Sequence, residues 1–255
     1  MIPNPTQRFS GRVESYKRYR PGYPAEIVDL LRRECRLSAH ATIADVAAGT
    51  GLLSEIFLAA GFSVTAVEPN DEMRAACAEL EGAYPNLRCV AGTAESTGLP
   101  DHSIDLITVA QAMHWFDLDR TRAEFSRILR PGGWCAVLYN NRRMTGDPFH
   151  EAYEQFLLDH SIDYKAVKES HVGRKRLAHF FSPSPMKCES LFNAQPLSLD
   201  ALKGRVLSSS YIPQPGHPRF PAMSAALEKL FAAHARGGAV TMIHDCVVCW
   251  GQLTR

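Results

Sequence analysis

Between Thr42 and Tyr139 short apolar runs alternate with helical patterns, and this alternation constrains the fold more than any other feature of the chain. The runs TIADVA, SVTAV, IDLITVA and WCAVLY are apolar and partly β-branched. They lack the strict in-and-out alternation of a strand with one face in water. Strands covered on both faces look like this, and a strand–helix–strand rhythm is the mark of βαβ units around a parallel sheet. Strands are expected at 42–47, 63–67, 87–91, 104–110 and 133–139. Apolar residues at three- and four-residue spacing place helices at 51–60, 71–81 and 117–129. Gly61, Gly82 and Pro131-Gly132-Gly133 punctuate their ends.

After Asn140 the rhythm changes. A helix is expected at 147–159, then a basic segment around Arg174-Lys175-Arg176 and a strand at 186–193. A helix beginning near Ser198-Leu199-Asp200 leads to the loop YIPQPGHPRFP, a helix at 221–235 and a last strand at 239–250. Two strands with most of 194–238 between them would close the sheet as an antiparallel pair. The expected fold is therefore α/β, a doubly wound, mostly parallel, seven-stranded sheet with that antiparallel C-terminal pair and helical cap insertions. No Pro/Gly/Ser-rich linker divides the 255 residues, so one domain is expected. Its parts would be a lid segment at 1–40, a core at 41–140, and cap helices with closing strands at 141–255.

The charge balance narrows the partners. With 28 Lys+Arg against 27 Asp+Glu, the net charge of +1 favours neither nucleic acid nor an anionic membrane. The segment MIPNPTQRFSGRVESYKRYRPG has no apolar core of a targeting signal, and no stretch reaches the ~18 apolar residues of a membrane span. A cytoplasmic location and no membrane partner are expected. The seven cysteines are odd in number and spread through apolar segments, which suits reduced, buried thiols better than a disulfide framework. Cys246 and Cys249 are three apart in a β-branched run, so they should face opposite sides of a strand and not share a metal.

The chemistry concentrates in Asp45-Val46-Ala47-Ala48-Gly49-Thr50-Gly51, where a buried strand turns sharply into a helix. Small residues let a ligand approach the backbone, and glycine accepts the positive φ of such turns. Glu68 ends the second strand 23 residues after Asp45, near the ~20-residue spacing at which a carboxylate reaches a ribose diol. Gly49-Thr50-Gly51-Leu52-Leu53-Ser54 also comes close to the dinucleotide fingerprint, so these features alone leave an NAD-type oxidoreductase open.

The segments that follow discriminate. They read Ala91-Gly92-Thr93-Ala94-Glu95, Leu99-Pro100-Asp101-His102-Ser103-Ile104-Asp105 and Leu129-Arg130-Pro131-Gly132-Gly133, the last taken as a turn. In this order they resemble the class I S-adenosylmethionine-dependent methyltransferases, in the small-molecule branch that includes ubiquinone/menaquinone-type and trans-aconitate-type enzymes. The likeness covers about 40–140. Tyr19-Arg20-Pro21-Gly22-Tyr23-Pro24 and Ala110-Gln111-Ala112-Met113-His114-Trp115-Phe116-Asp117 resemble one subset of that branch.

The resemblance implies a Rossmann-like sheet and S-adenosyl-L-methionine as cofactor, S-adenosyl-L-homocysteine being its product. It implies that Asp45, Val46, Ala47, Ala48, Gly49, Thr50 and Gly51 line the methionine moiety and that Glu68 binds the ribose. Pro69, Asn70 and Met73 would flank the adenine, although Met73 also has the spacing of a core residue. Thr93-Ala94-Glu95 would meet the adenine edge, and Ala110-Gln111 would pass beneath the sulfonium. Ala47 stands where the family usually has glycine, and Thr93 where it often has aspartate.

A sulfonium methyl is already electrophilic, so the task is to align a nucleophile and exclude water, with no metal required. His114, just past the carboxyl end of the fourth strand, is the candidate general base, with packing beside Trp115 as the alternative. Arg142-Arg143 would steer an anionic acceptor or form a solvated basic loop. Tyr16, Tyr19, Arg20 and Tyr23 are candidates for a lid that touches acceptor or methionine carboxylate. Tyr211 and His217 are further acceptor candidates, and Trp115 would supply rigid apolar area. The expected partner is a small-molecule acceptor, and the protein a monomer or homodimer. A protein that binds S-adenosylmethionine without methylating stays open beside the enzyme.

Overall fold

The computed structural model describes residues 13–165 and 173–253, so the first twelve residues of the expected lid lie outside it. Strands β1 (Thr42–Val46), β2 (Ser63–Val67), β3 (Leu87–Val90), β4 (Ile104–Ala110), β5 (Leu129–Arg142), β6 (Lys187–Leu197) and β7 (Val240–Gln252) form one sheet in the order β3-β2-β1-β4-β5-β7-β6. The first five run parallel, whereas β7 is antiparallel to both β5 and β6. The antiparallel pair is thus formed, with β7 inserted between β5 and the edge strand β6.

Nine helices flank the sheet among the described residues: α1 (Val13–Tyr19), α2 (Glu26–Glu34), α3 (Leu52–Ala59), α4 (Asp71–Ala78), α5 (Leu118–Ile128), α6 (Pro148–His160), α7 (Arg174–Phe181), α8 (Leu199–Leu207) and α9 (Phe220–His234). Side chains alternate between two cores, as a doubly covered sheet requires. Ala136 and Leu138 of β5 join Ile27 and Leu31 of α2 and Phe57 of α3 on one face. Cys135 and Val137 join Phe125 of α5 and Phe180 of α7 on the other. A third core, with Phe149, Tyr153, Leu202, Val206 and Leu227, packs α6, α8 and α9 together with Val240 and Met242 of β7. The cap therefore grows out of the closing strands.

Several expectations need correcting. The segment around 13–34 contains two helices, and the four apolar residues Ile27, Val28, Leu30 and Leu31 of α2 are buried in the core that includes Phe57, Leu106 and Leu138. Leu129 through Gly133 is no separate turn. It begins β5, pairing Leu129 with Ile104 and bulging before Leu106 meets Trp134. The basic segment at 174–176 opens α7, whose Leu177, Phe180 and Phe181 are buried. Cys188 and Cys249, opposite each other on β6 and β7, are joined as a disulfide, contrary to the expectation of seven reduced thiols. Cys246 and Cys249 do face opposite cores. Cys35, Cys77, Cys135 and Cys246 are free and buried, and Cys89 is free and half-buried.

One close contact positions the N-terminal helix. A Cβ on Gly204 of α8 would lie 2.1 Å from the Tyr19 ring, so only glycine lets α1 rest on α8 at this distance. That contact sets Arg20 against the end of α8, where its guanidinium donates to the Ser208 carbonyl at 2.9 Å. Among the described residues no helix is long and apolar enough to cross a membrane. Nor does any cluster of three His, Cys, Asp or Glu side chains suit a metal ion.

Candidate active site

The carboxyl ends of β1, β2, β4 and β5 open into a cavity of about 620 Å³. Its floor is strained backbone. Ala47 after β1 and Gln111 after β4 both have positive φ, 57° and 58°, which side-chain-bearing residues seldom adopt. Gly49 and Gly51 follow at 59° and 85°. At Gly49 an added Cβ would meet nothing within 4 Å, so the turn faces open space. At Gly51 it would meet Leu80 Cδ1 at 2.7 Å and Cys77 Sγ at 2.8 Å, so glycine there lets the α4 region close against the turn.

Asp45 lies under this turn, only 1% exposed. Its two oxygens accept the Ser54 hydroxyl at 2.6 Å and the Thr108 hydroxyl at 3.0 Å. Burial pushes the carboxyl up to about 6 despite these bonds. Glu68 stands beside the turn and ties it to the next one. Its Oε2 accepts the Gly49 amide at 2.9 Å and its Oε1 the Asn70 amide at 2.9 Å. Burial raises its pKa, against the pull of these two amides. Asn70 in turn caps α4, accepting the Met73 amide at 2.9 Å.

Of the expected cofactor residues, Ala47, Gly49, Glu68, Pro69, Asn70, Met73, Thr93, Ala94, Glu95, Ala110 and Gln111 line the cavity together. Asp45, Val46, Ala48, Thr50 and Gly51 do not line it and form the turn behind. Thr93 and Ser96 bond each other's backbone at 3.0 and 3.3 Å, which holds Ala94 and Glu95 at the rim. Glu95 accepts the Asp117 amide at 3.0 Å, joining that rim to the start of α5.

His114 and Trp115, in a 3-10 turn after β4, also line the cavity, their rings 4.5 Å apart and tilted. So do Tyr16, Arg20, Tyr23, Arg142 and Tyr211. Arg142 belongs to β5 and is no solvated loop residue. It pairs with Glu154, donates to the Tyr164 hydroxyl oxygen at 3.1 Å and covers the Tyr153 ring at 4.9 Å. Arg143 points away, to Asp245 at 2.7 Å. Tyr19 is spent on its packing against Gly204. His217 lies outside the lining, its Nδ1 accepting the Arg219 amide at 3.1 Å. The sequence carries no local sign of Arg205, Tyr164, Asn140 or Ser210, which complete the wall. Asn140 stands on β5, and the other three reach the wall through packing of the cap.

The sheet order and its antiparallel C-terminal pair are the Rossmann-like fold of solved methyltransferase structures. Residues 44–137 match the family model described as a methyltransferase domain. The chain is 40% identical over 134 residues to an uncharacterized methyltransferase of Mycobacterium tuberculosis, covering 52% of each chain. It is 34% identical over 124 residues to the ubiquinone/menaquinone biosynthesis C-methyltransferase UbiE of Methylobacterium nodulans, covering 46% of this chain and 49% of that one. The chain spans about half the length of these curated relatives. The solved structure of a SAM-dependent methyltransferase from Aquifex aeolicus superposes with a TM-score of 0.56 at 13% identity, over 95% of this chain and 98% of that one.

Proposed function

We propose that the protein moves the methyl group of S-adenosylmethionine to a small-molecule acceptor held under the α1 and α8 cap. The observation that carries this reading is the single cavity that joins Glu68 to His114 and Trp115. The cofactor, when bound, supplies an electrophilic methyl on a positive sulfur.

The residues present fit that cofactor. Each Glu68 oxygen already takes one amide and keeps a lone-pair direction for a ribose hydroxyl. Met73 and Ala94 give apolar area for the adenine, with Pro69 beside them. The open space before Gly49 admits the methionine chain close to the backbone. Ala110 and Gln111 lie beneath the reacting centre, because β4 is the neighbour of β1 in the sheet. His114 follows on the same strand end and is placed to take a proton from a hydroxyl or ammonium acceptor. Trp115 orients the acceptor and excludes water.

Thermal melts test the reading. S-adenosylmethionine and S-adenosylhomocysteine should raise Tm while NAD(H) leaves it unchanged, since only a ligand of the native state stabilises by mass action. The opposite pattern would select an oxidoreductase. Release of S-adenosylhomocysteine across a panel of acids, phenols and amines would separate an enzyme from a mere binder.

A further inference from the structure

The cap end of the cavity holds more positive charge than the chain neutralises. Arg142 is paired with Glu154, but Arg20 and Arg205 also line the wall. Among the described residues Arg20 has the Ser208 carbonyl and the Tyr16 ring, 4.8 Å from its guanidinium carbon. Arg205 has no hydrogen-bonded or ion-paired side-chain partner among the described residues, and its Nε is wholly shielded. The side chains that act on it most strongly are Arg20, Tyr153, Tyr211 and Tyr16, none of them a carboxylate. Burial and Arg20 together push it down to about 10.

A guanidinium held in a cavity wall without a carboxylate partner is kept there at a cost in stability. Chains keep such a group where a ligand completes it. From these side chains we infer that the acceptor carries an anionic group, a carboxylate or a phosphate, held between Arg205 and Arg20 in the cavity wall. This rests on the methyl-transfer reading and names the acceptor class for it.

The cofactor's own carboxylate does not reach Arg142. Glu68 is one residue past Val67, whose partner Val46 lies beside β4 and then β5, so Arg142 is three strands across the sheet. At ~4.8 Å per strand this is roughly 14 Å, and Arg142 stands four residues beyond Leu138, roughly 13 Å further along. Seven bonds separate the ribose C3′ from the methionine carboxyl carbon, and three backbone bonds span at most ~3.6 Å, so the chain covers no more than roughly 8.5 Å. His114 and Trp115 follow β4, between β1 and β5 in the sheet. An acceptor anchored by its anion would thus present its other end to them. The planar fork of arginine matches either oxyanion bidentately.

The test uses the full chain saturated with S-adenosylhomocysteine and two probes, succinate and inorganic phosphate, at constant ionic strength against chloride. Wild type should gain Tm with at least one probe, and which probe acts tells carboxylate from phosphate. Arg205→Met should lose that gain while its ligand-free Tm is equal or higher, because an unpaired buried charge has been removed. Its affinity for S-adenosylhomocysteine should stay within about threefold of wild type. Arg205→Lys, which keeps charge without the fork, should respond less than wild type. Absence of any response in wild type overturns the inference, as does an equal response in Arg205→Met. A loss of about tenfold or more in S-adenosylhomocysteine affinity would also overturn it, assigning Arg205 to the cofactor. Failure of wild type to bind S-adenosylhomocysteine would instead remove the methyl-transfer reading, and an anion response would then stand alone.

Discussion

Replacing Glu68 by alanine separates two tasks that one side chain performs. The carboxylate is 7% exposed and accepts the amides of Gly49 and Asn70, both at 2.9 Å. Alanine orphans those amides and withdraws the acceptors offered to a ribose diol. An orphaned buried amide costs ~1–3 kcal/mol, so ligand-free stability should fall by about that much and Tm by roughly 2–12 °C in a chain of this size. For the cofactor, hydrogen bonds to a charged group contribute ~1.5–3 kcal/mol, and the burial that raises the Glu68 pKa offsets part of a second such bond. The net loss is that of about one bond, ~10- to 150-fold in Kd. Glu68→Gln keeps one acceptor but turns its NH2 toward an amide donor, so it should fall between. Calorimetric titration with S-adenosylhomocysteine, paired with melts of the free protein, reads both losses. A lowered Tm with affinity within about threefold of wild type would leave Glu68 as a staple between two loops and refute its role toward the ribose.

Three further perturbations probe other parts of the molecule. His114→Gln and Trp115→Phe should keep cofactor affinity and Tm but lower turnover by ~10-fold or more, about 1.4 kcal/mol in the transition state; normal turnover in both would move the acceptor away from the β4 turn. Burial lifts Asp45 from 3.8 to about 6, so stability from this group is complete below pH 3.8 and is lost as pH rises through 6, ~3 kcal/mol in all. Asp45→Asn removes that dependence, and parallel pH–stability curves for variant and wild type would contradict the assignment. Gly204→Ala drives a methyl to within 2.1 Å of Tyr19 and should cost ~1–3 kcal/mol. Tyr19→Ala in the same chain should recover most of it, and simple additivity of the two losses would show that the contact is not what α1 depends on.

The parallel strands were legible because burial on both faces leaves one signal, an apolar run bounded by turns, and β1, β2 and β4 fall within a residue of where those runs end. The antiparallel pair was legible for a similar reason. What escaped depends on neighbours distant in sequence. The exception is α2, whose Ile27, Val28, Leu30 and Leu31 fall at helical spacing, a local signal that the lid segment 1–40 leaves unused. The Cys188–Cys249 bond needs the register of β6 on β7 across 61 residues. Arg142 reads as the end of a strand until α6 brings Glu154 to it, and Arg205 as one basic residue on a surface helix until α1 covers it. In the glycine turn the small residue at Gly51 admits Leu80 and Cys77 of the chain itself, and Gly49 faces open space. Asp45 was not legible as a buried brace, because a strand-end carboxylate has the same spelling whether it faces a ligand or two hydroxyls.

The positive φ values at Ala47 and Gln111 mean that the floor of the cavity is drawn by the main chain. A surface shaped in this way is nearly blind to which side chains evolution or an engineer places around it. Its contour survives as long as β1 and β4 end where they do, while what would tell one acceptor from another stands on α1, on His114 and Trp115 after β4, and on the segment from Asn140 onward. The two halves can therefore change at different rates. Grafting a foreign cap over 140–240 onto an unaltered 41–140 would be the economical route to a new acceptor, and redesign of the strand ends the expensive one.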